Sequence, residues 1–302
     1  MLFVGFTGRV RDCTVTGMLQ GVGLAGEWHH SRAHDFFARA KWSPDDLGLR
    51  LLDLLVHGFL KTGAPIRLAV DDTLFGRSGR KVWGAHYLHD GAQPQGSGQR
   101  TRWGNCWVVV VLVIDLECLG GRAVGLPVLF RLFRPKDERH PDRSSQPELG
   151  RLLIDIVIAR YATRVLELVM DGAYASKAWR GLPDRVTLTT RMRSNAALYA
   201  LAPARVPHQN GRPRLKGARL GSLAEIAAAA AFTEVQITTP GGRTRTEHVH
   251  EFVCLWYEPL HTRPVKVILI RNPGTTEGFD VALASTDTTQ GTGILIARYD
   301  TR

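Results

Sequence analysis

The pattern of apolar and polar residues divides the chain into a helical first part and a mixed remainder. Over residues 15–62, apolar side chains recur mostly every three to five positions, which predicts amphipathic helices. Ser43 followed by Pro44 predicts the start of one of these helices, because serine caps a helix and proline fits its first position. We therefore predict a partial N-terminal helical region over residues 1–62.

After residue 62 the pattern changes to short, β-branched apolar runs that alternate with helical stretches. The predicted strands are 66–70, 107–115, 123–133, 165–171 and 185–192. A helix is predicted at 147–162, and the Gly-, His- and Arg-rich residues 75–99 are predicted to form a loop. This order predicts a mixed α/β fold, and it is compatible with the first part of a ribonuclease H-like core over residues 63–202.

The composition changes again at residue 203. A basic loop is followed by a helix that opens with a capping box, Ser222 with Glu225, and then by three alternating segments typical of antiparallel strands. We predict a β-rich insertion over residues 203–275. Residues 276–302 are predicted to return to the core with a strand and a helix that begins near Thr289.

Composition limits the partners of the protein. The 302 residues are 44% hydrophobic, which is enough for a substantial core, and the formal net charge is +11. This charge favours a polyanion such as nucleic acid as partner, although a general excess of solvated arginine would give the same balance. The longest apolar run, Trp107–Ile114, is too short to cross a membrane. The four scattered cysteines form no Cys-x-x-Cys pair and fit a reducing environment, so we predict a soluble, cytoplasmic protein.

Acidic residues follow two of the predicted strands. Asp71 and Asp72 end the strand 66–70, and Asp171 ends the strand 165–171. Carboxylates that converge at strand ends can hold Mg²⁺ or Mn²⁺ ions for reactions at phosphorus. An aspartate at such a place also commonly caps a turn or the next helix.

The order of several motifs resembles one family. The matching pieces are VDDTLFGRSGRKVWGAHYLHDG, LVMDGAYAS, RMRSNAALY, GRPRLKG and ARYDTR. Together they resemble the DDE transposases of insertion sequences that carry a Tyr-x2-Arg-x3-Glu signature. The resemblance implies a ribonuclease H-like core, Mg²⁺ or Mn²⁺ as cofactor, and cleavage and strand transfer at the terminal inverted repeats of double-stranded DNA, with a homodimer as the active form. It implies that Asp72 and Asp171 are the first two metal ligands, with Asp71 as second choice for the first.

The resemblance also implies residues that contact DNA. Tyr299 and Arg302 match the signature, and a basic loop of the insertion adds further cations. Trp256 is a candidate for stacking on a base, with packing in the core as the alternative. Phosphate contact and a solvated loop are equally compatible with Arg77, Arg80 and Lys81. The cations of the basic loop are Arg212, Arg214, Lys216 and Arg219.

The glutamate of the signature would be the fourth residue after Arg302. The interpretation is therefore a truncated, decayed copy whose metal site lacks a ligand and whose cleavage activity is impaired. An inactive DNA-binding remnant that acts as a repressor is one alternative. A hydrolytic nuclease unrelated to transposition is another.

Overall fold

The computed structural model describes residues 2–8, 14–91, 101–116, 120–205, 211–239, 241–272, 274–275 and 277–302. The chain forms two compact units, residues 1–47 and 48–302. The described part of the first unit contains the helices α1 (Leu2–Gly8), α2 (Val15–Gly21) and α3 (His30–Arg39). In the described residues no helix combines the length and the apolar character that crossing a membrane would require.

After these three helices, groups of two to four strands are separated by single helices. The helix α4 spans Pro44–Phe59, and the Ser43 hydroxyl accepts a hydrogen bond from the Asp46 N–H at 3.2 Å, as the cap prediction requires. The remaining helices are α5 (Gln146–Arg160), α6 (Leu223–Ala229), α7 (Tyr257–Leu260) and α8 (Thr292–Asp300). The strands are β1 (Ile66–Gly76), β2 (His86–His89), β3 (Thr101–Leu116), β4 (Arg122–Phe133), β5 (Leu166–Met170), β6 (Val186–Arg191), β7 (Thr233–Thr238), β8 (Thr244–Leu255), β9 (Pro264–Arg271) and β10 (Val281–Ser285).

These strands form one mixed sheet in the order β2-β3-β1-β5-β6-β10-β9-β8-β7, with β4 paired to β3. β1, β5 and β6 run parallel, whereas β3 pairs antiparallel with β1 and β10 pairs antiparallel with β6. The predicted mixed α/β fold is confirmed, and the arrangement is consistent with a ribonuclease H-like fold. The parallel strands at its centre carry the candidate carboxylates.

The two faces of the sheet bury different cores, because successive side chains of a strand point to opposite faces. Val267 and Leu269 of β9 belong to the larger cluster, which also contains the α5 residues Leu153, Ile154 and Val157. Ile268 and Ile270 of the same strand belong to the smaller cluster, which contains Leu295 and Ile296 of α8. Helices α5 and α8 therefore cover opposite faces of the sheet, called here the α5 face and the α8 face.

The structure differs from the sequence predictions in local ways. β1 runs on to Gly76, six residues past its predicted end. β2 lies in the stretch 75–99 that was predicted as a loop, of which residues 92–99 lie outside the described residues. After Asp171 the chain forms two 3₁₀ turns, Gly172–Tyr174 and Lys177–Trp179. The strands of residues 203–275 join the central sheet through β9 and β10. The predicted domain boundaries at 62, 202 and 275 remain predictions.

Candidate functional site

Two neighbouring parallel strands at the centre of the sheet bring carboxylates together at the point where their pairing ends. β1 and β5 pair in a register that ends at Val70 opposite Met170, so the next residues, Asp71 and Asp171, come level with each other. Buried apolar residues on both strands fix this register, because a one-residue slip would turn the core side chains out of the core. The carboxyl ends of parallel strands are also where open α/β sheets bind ligands.

Asp71 and Asp171 share the α8 face with a guanidinium group. Their strands place Ile66, Leu68 and Val70 in the core on the α5 face, so Asp71 points to the other side. The Arg302 Nη1 donates to Asp171 Oδ2 at 2.7 Å and lies 3.9 Å from Asp71 Oδ2. The cation of Arg302 therefore interacts with both carboxylates.

Helix α8 holds Arg302 at this place through a buried ion pair. Arg298 is 6% exposed, and its Nη2 donates to Glu167 Oε1 of β5 at 2.7 Å. Arg298 Nη1 lies 3.7 Å from Asp287 Oδ2. Burial raises the pKa of Glu167, against the opposing effect of Arg298 and Arg67. The helix that ends beside Asp171 is thus fixed to the same strand that delivers Asp171.

Asp72 has a different environment, because it follows Val70 at an even spacing and points to the α5 face. Its Oδ1 accepts a hydrogen bond from the Tyr174 hydroxyl at 3.3 Å, and its Oδ2 accepts one from the Cys106 thiol at 3.4 Å. Gln146 Nε2 in turn donates to the Cys106 sulfur at 3.4 Å. Asp72 is therefore bound to side chains of the protein interior.

The shifts in pKa distinguish the site residues. Burial raises the pKa of Asp71, with repulsion from Asp72 and Asp171 as weaker causes, while the Asp72 N–H and Arg302 oppose the rise. Burial also acts to raise the pKa of Asp171, but the Ala173 N–H and Arg302 outweigh it, and the pKa is lowered. Burial raises the pKa of the Cys106 thiol to about 12, so Cys106 stays protonated and donates to Asp72.

The donor chemistry of Asp71 and Asp171 fits a divalent cation. Mg²⁺ and Mn²⁺ prefer hard oxygen ligands, and the two carboxylates already surround one positive group, the Arg302 guanidinium. Within the described ranges of the chain, no cluster of three or more His, Cys, Asp or Glu is placed to hold a metal. The fit to a cation therefore rests on this pair.

Asp171 also does what an aspartate after a strand commonly does. Its Oδ1 accepts from the Ala173 N–H at 2.9 Å and caps the 3₁₀ turn Gly172–Tyr174. Its other oxygen, Oδ2, bonds Arg302. The turn-capping role and a ligand role are compatible, because the two oxygens are used separately.

The predicted DNA contacts fall into two groups. Tyr299 packs beside the smaller core cluster, and the Arg302 guanidinium carbon lies 5.6 Å from the centre of its ring, so both signature residues are at the carboxylate pair. The Lys216 ammonium lies 3.7 Å and 4.6 Å from the ring centres of Tyr199 and Tyr257. The other predicted cations of that loop, Arg212, Arg214 and Arg219, are exposed.

Trp256 requires a correction. Its side chain is 5% exposed and packs in the larger core cluster near Leu260 and Val265. A buried indole does not offer a face to a nucleobase, so the stacking role does not fit this structure. The alternative, packing in the core, describes the residue.

Several residues of the site were given no role in the sequence prediction. They are Tyr174 and Cys106, which bind Asp72, and Arg191, which contributes to the lowered pKa of Asp171. The alternation of side chains along β1 could have separated Asp71 from Asp72. Leu68 and Val70 point into the core, so Asp72, at the same even spacing, points to the core side and Asp71 to the other face. The preference for Asp72 over Asp71 as first ligand remains a prediction, whereas the geometry favours Asp71.

A family model described as DDE superfamily endonuclease matches residues 3–253. The match spans β1 and β5 and therefore includes Asp71, Asp72 and Asp171. Among curated proteins, none matches this chain.

Proposed function

Because the chain belongs to the DDE superfamily endonucleases, we propose that it cleaves the DNA backbone at a divalent metal site held by Asp71 and Asp171. Family membership supports a transposase-like nuclease that binds DNA and uses divalent metal ions. The single observation that carries the residue assignment is the arrangement of these two carboxylates around one cation, Arg302.

The proposed division of labour follows from the contacts. Asp71 and Asp171 would hold Mg²⁺ or Mn²⁺, and the bound ion would activate a water or a 3′-hydroxyl of the DNA and neutralise charge that develops at the phosphate. The Asp171 carboxylate is kept ionised by the Ala173 N–H and by Arg302. Arg302 presents a planar, permanently charged fork that suits a phosphate of the bound DNA, and Tyr299 lies beside it.

We further propose that the substrate is double-stranded DNA with the terminal inverted repeats of the element, and that two copies act together on paired ends. The net charge of +11 and the exposed arginines 212, 214 and 219 support binding to the phosphate backbone. Strand transfer then requires the same carboxylates, because a 3′-hydroxyl takes the place of water as the attacking group.

The test is cleavage of a labelled duplex with a terminal inverted repeat in Mn²⁺. We expect nicking by the parent chain and none by the Asp171→Ala variant at equal DNA binding. Equal nicking by both would contradict the assignment of Asp171. Equal cleavage of duplexes with and without the repeat would favour a hydrolytic nuclease over a transposase.

A second candidate, a DNA-binding protein without cleavage activity, is favoured by one contact. Arg302 neutralises the carboxylates that would hold a metal, and its ion pair with Asp171 competes with metal binding. The two candidates separate when DNA binding and Mn²⁺-dependent nicking are measured side by side for the parent and for Asp171→Ala. Nicking by the parent that is lost in Asp171→Ala, with DNA binding retained, supports the enzyme. Tight DNA binding by both with no nicking by either supports the second candidate.

A further inference from the structure

An exposed group of aromatic and arginine side chains lies farther along the strand that carries Asp71. It surrounds a cavity of about 500 Å³ lined by Arg77, Ser78, Arg80, Tyr87 and Trp103. The Tyr87 and Trp103 rings contact each other with centroids 5.3 Å apart, and Tyr87 is 69% exposed. We call Arg77, Arg80, Trp83, Tyr87 and Trp103 the aromatic–arginine surface.

This surface lies on the α8 face of the sheet, as Asp71 does. Directly opposed residues of paired strands share a face, and β1 pairs with β3 so that Thr73 opposes Trp107 and Phe75 opposes Asn105. Trp103 lies two residues before Asn105 on β3, so it is on the same face as Asn105. Tyr87 of β2 opposes Trp103 and therefore lies on this face too. Asp71 and the aromatic–arginine surface therefore lie on the same face of the sheet. Arg77, the first residue of this surface, follows Asp71 by six positions, which corresponds to about 20 Å along an extended strand.

Three hydrogen bonds fix the positions of Arg77, Trp83 and Trp103 in this surface. Asn105 is 4% exposed, and its side chain donates to the Trp83 carbonyl at 3.1 Å while it accepts from Arg77 Nε at 2.9 Å. The Trp103 indole N–H donates to the Gly79 carbonyl at 2.9 Å. One buried amide thus fixes both an arginine and the backbone of a tryptophan.

The Trp83 indole remains open although its backbone is fixed. It is 71% exposed, and the guanidinium carbon of Arg134 lies 4.8 Å from its ring centre. Large exposed rings are unfavourable in water unless a partner covers them, and an arginine beside them favours an anionic partner. Rings with interleaved arginines are the combination that binds unpaired nucleic acid, because bases stack on rings while cations meet phosphates.

We propose that the aromatic–arginine surface binds unpaired nucleobases of the DNA strand that passes the carboxylate pair. The proposal rests on the proposed function only in that DNA is the substrate. Charge selects this occupant, since the lining of the cavity within the described chain contains two arginines and no carboxylate.

The test measures DNA binding without divalent metal, so that cleavage does not enter. The probes are a duplex that ends in a short single-stranded tail containing 2-aminopurine and the same duplex fully paired. The variants are Tyr87→Ala, Tyr87→Phe and Trp83→Ala. The matched control is Phe59→Ala, which removes an exposed ring at the end of α4. Thermal melting checks that each variant is folded.

We expect Tyr87→Ala and Trp83→Ala to weaken binding of the tailed duplex about 5- to 150-fold, the range typical of a lost base stack. Binding of the paired duplex, Tyr87→Phe and Phe59→Ala should stay close to the parent. Fluorescence of 2-aminopurine should be quenched by the parent and less by the two alanine variants.

Several results would overturn the inference. They are unchanged binding of the tailed duplex by both alanine variants, equal losses on paired and tailed DNA, or self-association of the parent that these variants abolish. DNA binding that does not depend on the rings overturns only this inference. Absence of any DNA binding by the parent overturns the proposed function as well.

Discussion

Asp71 and Asp72 are neighbours in the chain but lie on opposite faces of the sheet, in contrasting surroundings. On the α5 face, Asp72 is bound by the Tyr174 hydroxyl and the Cys106 thiol. On the α8 face, the Arg302 Nη1 lies 2.7 Å from Asp171 Oδ2 and 3.9 Å from Asp71 Oδ2. One face holds its carboxylate with neutral donors, and the other sets two carboxylates around a positive charge.

The contrast shows that the surroundings of an aspartate depend on whether its position in the strand is odd or even. Neutral donors satisfy Asp72 and connect it to buried side chains, which suits a residue that fixes the middle of β1. Two carboxylates at one place repel each other unless a cation lies between them, which suits metal ligands. We therefore expect Asp71 and Asp72 to respond differently to substitution.

The largest expected effect is the loss of cleavage on the α8 face. Asp71→Asn and Asp171→Asn should each lower metal-dependent nicking about 1000-fold, because each removes a charged ligand whose effect at phosphorus amounts to several kcal/mol. Nicking rates on a duplex with an inverted repeat measure this effect. Nicking by Asp71→Asn at the parent rate would contradict the proposal that Asp71, on the α8 face, is a metal ligand.

We expect substitution of Asp72 to lower the stability of the protein more than it lowers the rate of cleavage. Asp72→Ala leaves the buried Tyr174 hydroxyl and the Cys106 thiol without their acceptor, which should lower the free energy of unfolding by about 1–3 kcal/mol. Asp72→Asn retains an acceptor oxygen and should lower nicking about 10- to 100-fold, as for a residue that supports a ligand. Denaturant unfolding and nicking rates separate the two effects, and a loss of nicking by Asp72→Asn as large as that of Asp71→Asn would count against the account.

The position of Asp171 depends on the glycine that follows it. A Cβ on Gly172 would lie 2.7 Å from the Arg191 carbonyl oxygen, so Gly172→Ala must displace the turn that Asp171 caps. We expect a loss of about 1–2 kcal/mol of unfolding free energy together with weaker metal binding. Gly291→Ala is the control, because a Cβ there meets no atom within 4 Å and the backbone φ of −63° suits alanine. Equal melting temperatures of the two variants would contradict this expectation.

The smallest effects should appear in the pH dependence of stability without metal. The lowered pKa of Asp171 gives a stabilisation that is present above the unfolded pKa of about 3.8 and is lost as the pH falls through the folded pKa. The raised pKa of Asp71 has the opposite sign, so its contribution becomes unfavourable as the pH rises from about 3.8 through the folded pKa. At neutral pH, Asp171→Asn should therefore melt below the parent and Asp71→Asn above it. Shifts of the same sign in the two variants would contradict the assigned environments.

The sequence allowed much of the fold to be predicted because the signals were local. The apolar runs indicated β3, β5 and β9, and the capping box indicated the start of α6, where Ser222 and Glu225 exchange hydrogen bonds as expected. β2 was missed because its four residues, His86–His89, lie among glycines and charges without a clear alternation.

The site could be predicted only in part, because contacts between distant residues decide it. The acidic positions Asp71, Asp72 and Asp171 were evident from the sequence, although β1 continues past the first two to Gly76. The choice among them depends on Tyr174 and Cys106 on one face and on Arg302 on the other. Trp256 was assigned to DNA because aromatic character alone does not show burial, whereas packing of its segment against the core does.

The most direct test of the account is the affinity for Mn²⁺ of the parent and of Asp71→Asn, Asp72→Asn and Asp171→Asn, measured by isothermal titration calorimetry. The account predicts that the parent and Asp72→Asn bind the ion, and that Asp71→Asn and Asp171→Asn lose most of the affinity. Loss of binding in Asp72→Asn with parent-like binding in Asp71→Asn would contradict the claim that Asp71 and Asp171 share the cation.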